Sequence, residues 1–219
     1  ITAVRDLSNL ISLSTQTNEA EMERQINWLL IQNPHFINIT LAPDFIVKSV
    51  YPAQSDKDRI GKDVRERLME RMSISRNAGD QSARFYGPFK TTDAENAFAI
   101  FFPVFVKQNG QRRIWGAVEV VIDQNMFYES TGLMPARNSE NQERYPHLDH
   151  LSIAVRDIGI PNETAAPFFG PANIYEKDPL RRKMSFAGGR WELAAVPNDG
   201  WHAVPGNRHE LRLIIVAAG

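Results

Sequence analysis

Apolar residues in this chain recur every three or four positions in some stretches and run almost unbroken in others. Over 2–32, Val4, Leu7 and Ile11 open a helical stripe, and Met22, Ile26 and Leu29 resume it. The spacing predicts one long N-terminal helix, stopped by Pro34. Ser14, Thr17 and Asn18 interrupt the stripe, so its two halves should meet different partners. At ~1.5 Å per residue such a helix would run about 45 Å, longer than a small domain is wide. Either part of it projects and pairs with a second copy through its heptad-like stripe, or it packs along its own domain.

Strand patterns follow. FINITL (36–41) and FIVKSVY (45–51) read as strands joined by Ala42-Pro43-Asp44, with Pro52 ending the second. Residues 53–63 read as a polar loop. Residues 64–77 read as a charged amphipathic helix with Val64, Leu68, Met72 and Ile74 on its apolar side. ARFYGPF (83–89) is a short strand.

Residues 96–123 carry two long apolar strands around Asn109-Gly110, the strongest two-residue hairpin signal. With those two residues at the turn centre, Phe105 faces Ile114, Phe102 faces Ala117 and Ile100 faces Glu119. One face then holds Phe98, Ile100, Phe102 and Val104 with Trp115, Ala117, Glu119 and Val121. The other holds Ala99, Phe101, Pro103 and Phe105 with Ile114, Gly116, Val118 and Val120. A bulge near Pro103 would swap the faces beyond it.

A short helix (124–132) should end at Gly132, and the polar, proline-containing stretch 134–148 reads as a subdomain boundary. Beyond it lie strands at 151–157, 173–176, 183–186 and 190–197, and a turn at Asp199-Gly200-Trp201. The terminal run LRLIIVAAG is either a last core strand or the approach to a membrane span.

Composition narrows the function classes. The 219 residues are 42% hydrophobic and 23% charged, enough for one domain or two small ones. A net charge of −1 argues against a nucleic-acid surface, which needs clustered cations. The absence of cysteine removes disulfides, thiol nucleophiles and Cys-based zinc sites. There is no signal peptide and no run of about 18 apolar residues. The chain opens in mid-pattern and closes on an apolar run, as expected of a domain lying between two membrane spans.

Catalytic signatures are missing: no glycine-rich phosphate loop, no G-x-S-x-G, no H-E-x-x-H. His147, Asp149 and His150 lack helical ligand spacing, and His202 and His209 have no partner cluster. Asp56, Asp58 and Asp63 lack the EF-hand positions and read as a solvated loop. The sequence therefore predicts no metal, no cofactor and no enzyme. Glu119 is the exception to a bland reading. A carboxylate on an apolar sheet face needs a hydrogen bond or a counter-charge. Either a Lys or Arg of a covering helix pairs with it, or it reaches solvent at a sheet edge, or it anchors a cationic or hydrogen-bond-donating ligand beside small Ala117.

Pieces spread over most of the chain resemble, in order, the CHASE domain, an extracytoplasmic sensor. They are HFINITLAPDFIVKSVYP (35–52), IGKDVR (60–65), GPF (87–89), FPVF (102–105), WGAVEVVID (115–123), STGL (130–133), LSIAVRD (151–157), FFG (168–170), KDPL (177–180) and RWELAAVPNDGW (190–201). Between Gly87-Pro88 and Phe102 the chain departs from the family's glycine-rich segment, so ligand identity does not carry over. The resemblance implies an α+β fold, with a long N-terminal helix followed by two PAS-like subdomains with antiparallel sheets. The implied organisation is a stalk at 1–34, a membrane-distal ligand-binding subdomain at 35–133, a linker at 134–148 and a membrane-proximal subdomain at 149–219. It implies a periplasmic sensor of an inner-membrane receptor, dimeric through its first helix, with a histidine kinase or diguanylate cyclase as output. Carried onto this sequence, an unknown small-molecule ligand would meet Phe85, Tyr86, Thr91, Thr92, Phe98, Ile100, Phe102, Trp115, Ala117 and Glu119.

Overall fold

The computed structural model describes residues 11, 19–53, 55–66, 83–91, 94, 96–108, 110–134, 146–159, 166–186 and 189–201. The chain is mixed α+β and divides into two compact units, 1–128 and 129–219. Much of the stretch expected to form a long N-terminal helix, most of the helix expected at 64–77 and the terminal apolar run lie outside the described residues. Among those described, no helix is long and apolar enough to cross a membrane.

In the first unit, helix α1 (Glu19–Gln32) buries Ile26 and Leu29 and lies against the first two strands. Asn33 caps it: both its backbone N–H and its side-chain amide donate to the Leu29 carbonyl, at 3.0 and 2.8 Å. Five antiparallel strands follow: β1 (Phe36–Pro43), β2 (Ser49–Tyr51), β3 (Arg84–Phe89), β4 (Ala97–Gln108) and β5 (Gln111–Asp123). Their order across the sheet is β2-β1-β5-β4-β3, so β5 is central with β1 and β4 on either side. A short helix α2 (Gln124–Ser130) follows β5, and its first five residues end the unit.

The second strand is shorter than its hydrophobic run predicts. Asp44 and Phe45 adopt left-handed backbone conformations (φ 50° and 64°), which breaks the strand at its start. Residues 45–47 then pair elsewhere: Val47 N–H donates to the Lys62 carbonyl at 3.0 Å, and Gly61 N–H to the Val47 carbonyl at 2.8 Å. This folds residues 55–64 back over the sheet as a strap.

The β4–β5 register corrects the expectation from the turn. Near the turn, Phe105 does pair with Ile114. Past Val104 the register shifts by one: Val104 pairs with Gly116, Pro103 with Ala117, Phe101 with Glu119 and Ile100 with Val120. Trp115 is the extra residue of a bulge. Gly116 makes it feasible, with φ +144° and a missing Cβ that would lie 2.1 Å from the Ala42 carbonyl oxygen. Beyond the bulge every β5 side chain sits on the opposite face from the uninterrupted register.

Among the described residues, the second unit holds three antiparallel strands, β6 (Leu151–Asp157), β7 (Leu180–Phe186) and β8 (Gly189–Pro197), in the order β6-β8-β7. The expected strand at 173–176 is instead a 3₁₀ turn, Ala172–Glu176, which drops Ile174 into a core of Ala154, Ala194 and Val196. Tyr175 from the same turn donates its hydroxyl to the Glu192 carbonyl at 2.9 Å. The Arg156 guanidinium lies 4.0 Å from its ring centroid and also donates to Glu192 Oε2, at 3.0 Å from Nε and 2.5 Å from Nη2.

Candidate functional site

The two faces of the larger sheet differ in chemistry. Side chains directly opposite in an antiparallel pair share a face. Phe85, Ile100 and Val120 therefore face the same way, as do Phe102 and Val118, and Phe98 and Ile122. This aromatic face packs against α2. The Phe98 ring lies 4.8 Å from Phe85, 5.8 Å from Phe127 and 6.0 Å from Tyr128.

The opposite face carries a polar row inside an apolar frame. One ladder crosses all five strands: Val50, Thr40, Glu119, Phe101, Arg84. The next ladder holds Asn38, Val121, Ala99 and Tyr86. Glu119 is 2% exposed, and Asn38 and Thr40 are 0% exposed. Around them Ala42, Ala99 and Ala117 keep the face shallow, while Phe45, Val47, Val64 and Phe101 close it with apolar surface.

The strap supplies the polar partners. The Arg59 guanidinium donates to Glu119 Oε2 from a single 3₁₀ turn, Lys57–Arg59. Asp56, left-handed at φ 44°, precedes that turn and accepts from the Asn38 amide nitrogen at 3.1 Å; Ser55 Oγ lies 3.5 Å from the same nitrogen. The Glu119 side chain is 2% exposed and Arg59's 15%, so this ion pair sits under cover with its cation nearer the rim. Two buried oxygens of the face, Asn38 Oδ1 and Thr40 Oγ1, find no hydrogen-bond partner among the described residues.

The residues carried over from the family resemblance do not gather on one face. Phe85, Phe98, Ile100 and Phe102 are on the aromatic face, and Tyr86, Ala117 and Glu119 on the strap face. The bulge at Trp115 and Gly116 puts Ala117 and Glu119 on the opposite face from Phe98, Ile100 and Phe102, strand alternation alone puts Tyr86 on the opposite face from Phe85, and Trp115 is itself the bulged residue. Thr91 caps its own loop, its hydroxyl accepting from Ala94 N–H at 2.9 Å. Thr92 lies outside the described residues. Asn38, Thr40 and Arg59 join the site without having been singled out. The alternation of Asn38 and Thr40 within FINITL is the signal that could have found the first two. Arg59 had none, since it sits among several cations of a loop without periodicity.

Among the described residues, no group of three or more His, Asp or Glu side chains is placed to hold a metal ion. No protein-family model and no curated protein matches this chain. Among solved structures it is similar to an extracellular ligand binding receptor from Desulfohalobium retbaense DSM5692, with a TM-score of 0.54 and 15% identity. The match covers 89% of this chain and 36% of the receptor chain, so the sequence spans about a third of that protein's length. At this identity the likeness is one of fold.

Proposed function

We propose that the chain is an extracytoplasmic ligand-sensing domain of a transmembrane receptor, of the CHASE type, without catalysis of its own. The observation that carries this reading is the strap face. Nothing in ordinary core packing calls for a buried ion pair and two unpartnered buried oxygens beneath a covering loop. The fold shared with an extracellular ligand binding receptor supports the same direction. In this reading a small molecule binds between the strap and strands β1 and β5, and the strap's polar links to the sheet differ between free and bound states. The ligand must hold one arrangement more tightly than the other, or no signal passes. The N-terminal helix pairs two copies. Trp28 and Ile31, 60% and 72% exposed on α1, support that role. The signal crosses the inner membrane to a histidine kinase or diguanylate cyclase.

The absence of cysteine from these 219 residues makes the location of this domain testable with a single introduced thiol. Ile60→Cys, on the exposed strap, in the full-length protein should react with a membrane-impermeant maleimide in intact spheroplasts, above the labelling of the unsubstituted full-length protein. Labelling only after lysis would overturn the extracytoplasmic reading. A small molecule that raises the chain's melting temperature should also change the output of the full-length receptor. A chain stabilised by no small molecule but retained by a membrane protein would make it an interaction module instead.

A further inference from the structure

We infer that the strap face takes an uncharged ligand that donates hydrogen bonds through O–H or N–H groups, a polyol or an amide rather than an ion. The inference rests on the sensing role proposed above and adds the chemistry of what is sensed.

The Asn38 amide is oriented by its neighbour. Its nitrogen donates to Asp56 Oδ2 at 3.1 Å, and a carboxylate only accepts. Turning the amide over would set two acceptors against each other, so Oδ1 is held away from Asp56. It is buried and has no hydrogen-bond partner among the described residues. Two positions along β1, on the same face, Thr40 Oγ1 is also buried and without a partner. Buried polar atoms in that state are costly and rare, and two neighbours on one strand mark a place built for a third group.

Charge decides what that group is. Glu119 shares the ladder with Thr40 and already has Arg59 as its counter-ion, so an incoming cation finds its charge compensated. An incoming anion would meet Asn38 Oδ1 and the Asp56 and Glu119 carboxylates, which all accept, and would have to draw Arg59 away from Glu119. An uncharged donor meets neither obstacle. It donates to Asn38 Oδ1 and exchanges a hydrogen bond with the Thr40 hydroxyl in either direction. The alanines at 42, 99 and 117 and the apolar side chains of Phe45, Val47 and Val64 would border its carbon skeleton. Water has the same donor chemistry, which makes it the competing occupant.

Thermal melts of the whole chain separate these cases. One panel holds uncharged donors (ribitol, glucose, nicotinamide), a second carboxylates (acetate, succinate, citrate), a third amines (ethanolamine, putrescine), all at matched low-millimolar concentration. At least one uncharged donor should raise the melting temperature. Thr40→Val removes only the unpartnered hydroxyl. The free variant should melt at or above the wild-type temperature and bind the stabilising compound about tenfold more weakly. Stabilisation by carboxylates or amines alone overturns this inference and leaves the sensing role standing. No stabilisation by any panel, with a crystal structure showing only ordered water on Asn38 Oδ1 and Thr40 Oγ1, overturns both. A compound that Thr40→Val and Asn38→Leu bind undiminished overturns the placement of the site.

Discussion

Glu119 and Arg59 should be unequal partners when one is removed. Breaking a fully buried pair costs about 3–5 kcal/mol, mostly through the charge left behind. Glu119→Gln leaves the cation, which is near the rim and can turn toward water, so we expect a loss of about 2 kcal/mol in urea unfolding. Arg59→Met leaves the deeper carboxylate and should cost more. The double variant should be more stable than the sum of the singles implies, the mark of direct coupling. The charge on an apolar strand was readable from WGAVEVVID alone. Its partner was not, because Arg59 stands 60 positions away and only the strap's return over the sheet brings the two together. His35, at the join between α1 and β1, gives a pH dependence. Burial lowers its pKa from the usual 6.5, so the folded chain binds its proton less readily than the unfolded one. Stability should therefore be intact above pH 6.5 and fall as the pH drops through that value. His35→Gln should flatten the fall in chemical denaturation between about pH 7.5 and 5.5.

The β4–β5 hairpin depends on two glycines of different kinds. Gly110 is left-handed at the turn with nothing within 4 Å of its missing Cβ, so Gly110→Ala should cost about 1 kcal/mol in backbone strain. Gly116 is left-handed too, but its Cβ would collide with backbone at 2.1 Å. Gly116→Ala should cost more than 3 kcal/mol or prevent folding, read as a large drop in melting temperature or loss of soluble protein. The Asn109-Gly110 signal correctly gave the hairpin and its pairing near the turn. It could not give the pairing further in, since the bulge is fixed by the approach of the Ala42 carbonyl from β1, a neighbour the hairpin's own residues do not specify. The same limit applies at NIYE (173–176). Its alternation suits a strand, but Ile174 is drawn into the core of the three-stranded sheet by a 3₁₀ turn. At FIVKSVY, local backbone at Asp44 and Phe45 overrides a sound strand pattern.

Two compact units imply that local damage should stay local. Tyr175→Phe removes the hydroxyl that donates to the Glu192 carbonyl at 2.9 Å and should cost about 1 kcal/mol. Hydrogen exchange should speed up in β6, β7 and β8 and stay unchanged in β1–β5; acceleration in both would show that the units unfold together. The phenol, pushed up to about 12 chiefly by burial, is less acidic folded than unfolded. Its contribution is thus complete below about pH 10 and lost as the pH rises toward 12, and Tyr175→Phe should blunt that alkaline loss. Individual strand runs and helical stripes were evident in the sequence and the α+β class came with the family resemblance, whereas the grouping of polar side chains was not legible, because it depends on sheet order. The bulge at Trp115 also has an evolutionary and engineering consequence. It makes the identity of the polar face a matter of residue counting, much as a reading frame is. A one-residue deletion there would leave every later letter of β5 unchanged and still move Glu119 to the aromatic side. Relatives whose hairpins differ by one residue could share this strand's sequence and bury opposite halves of it, and an alignment that closes the gap in the wrong place would pair unlike positions.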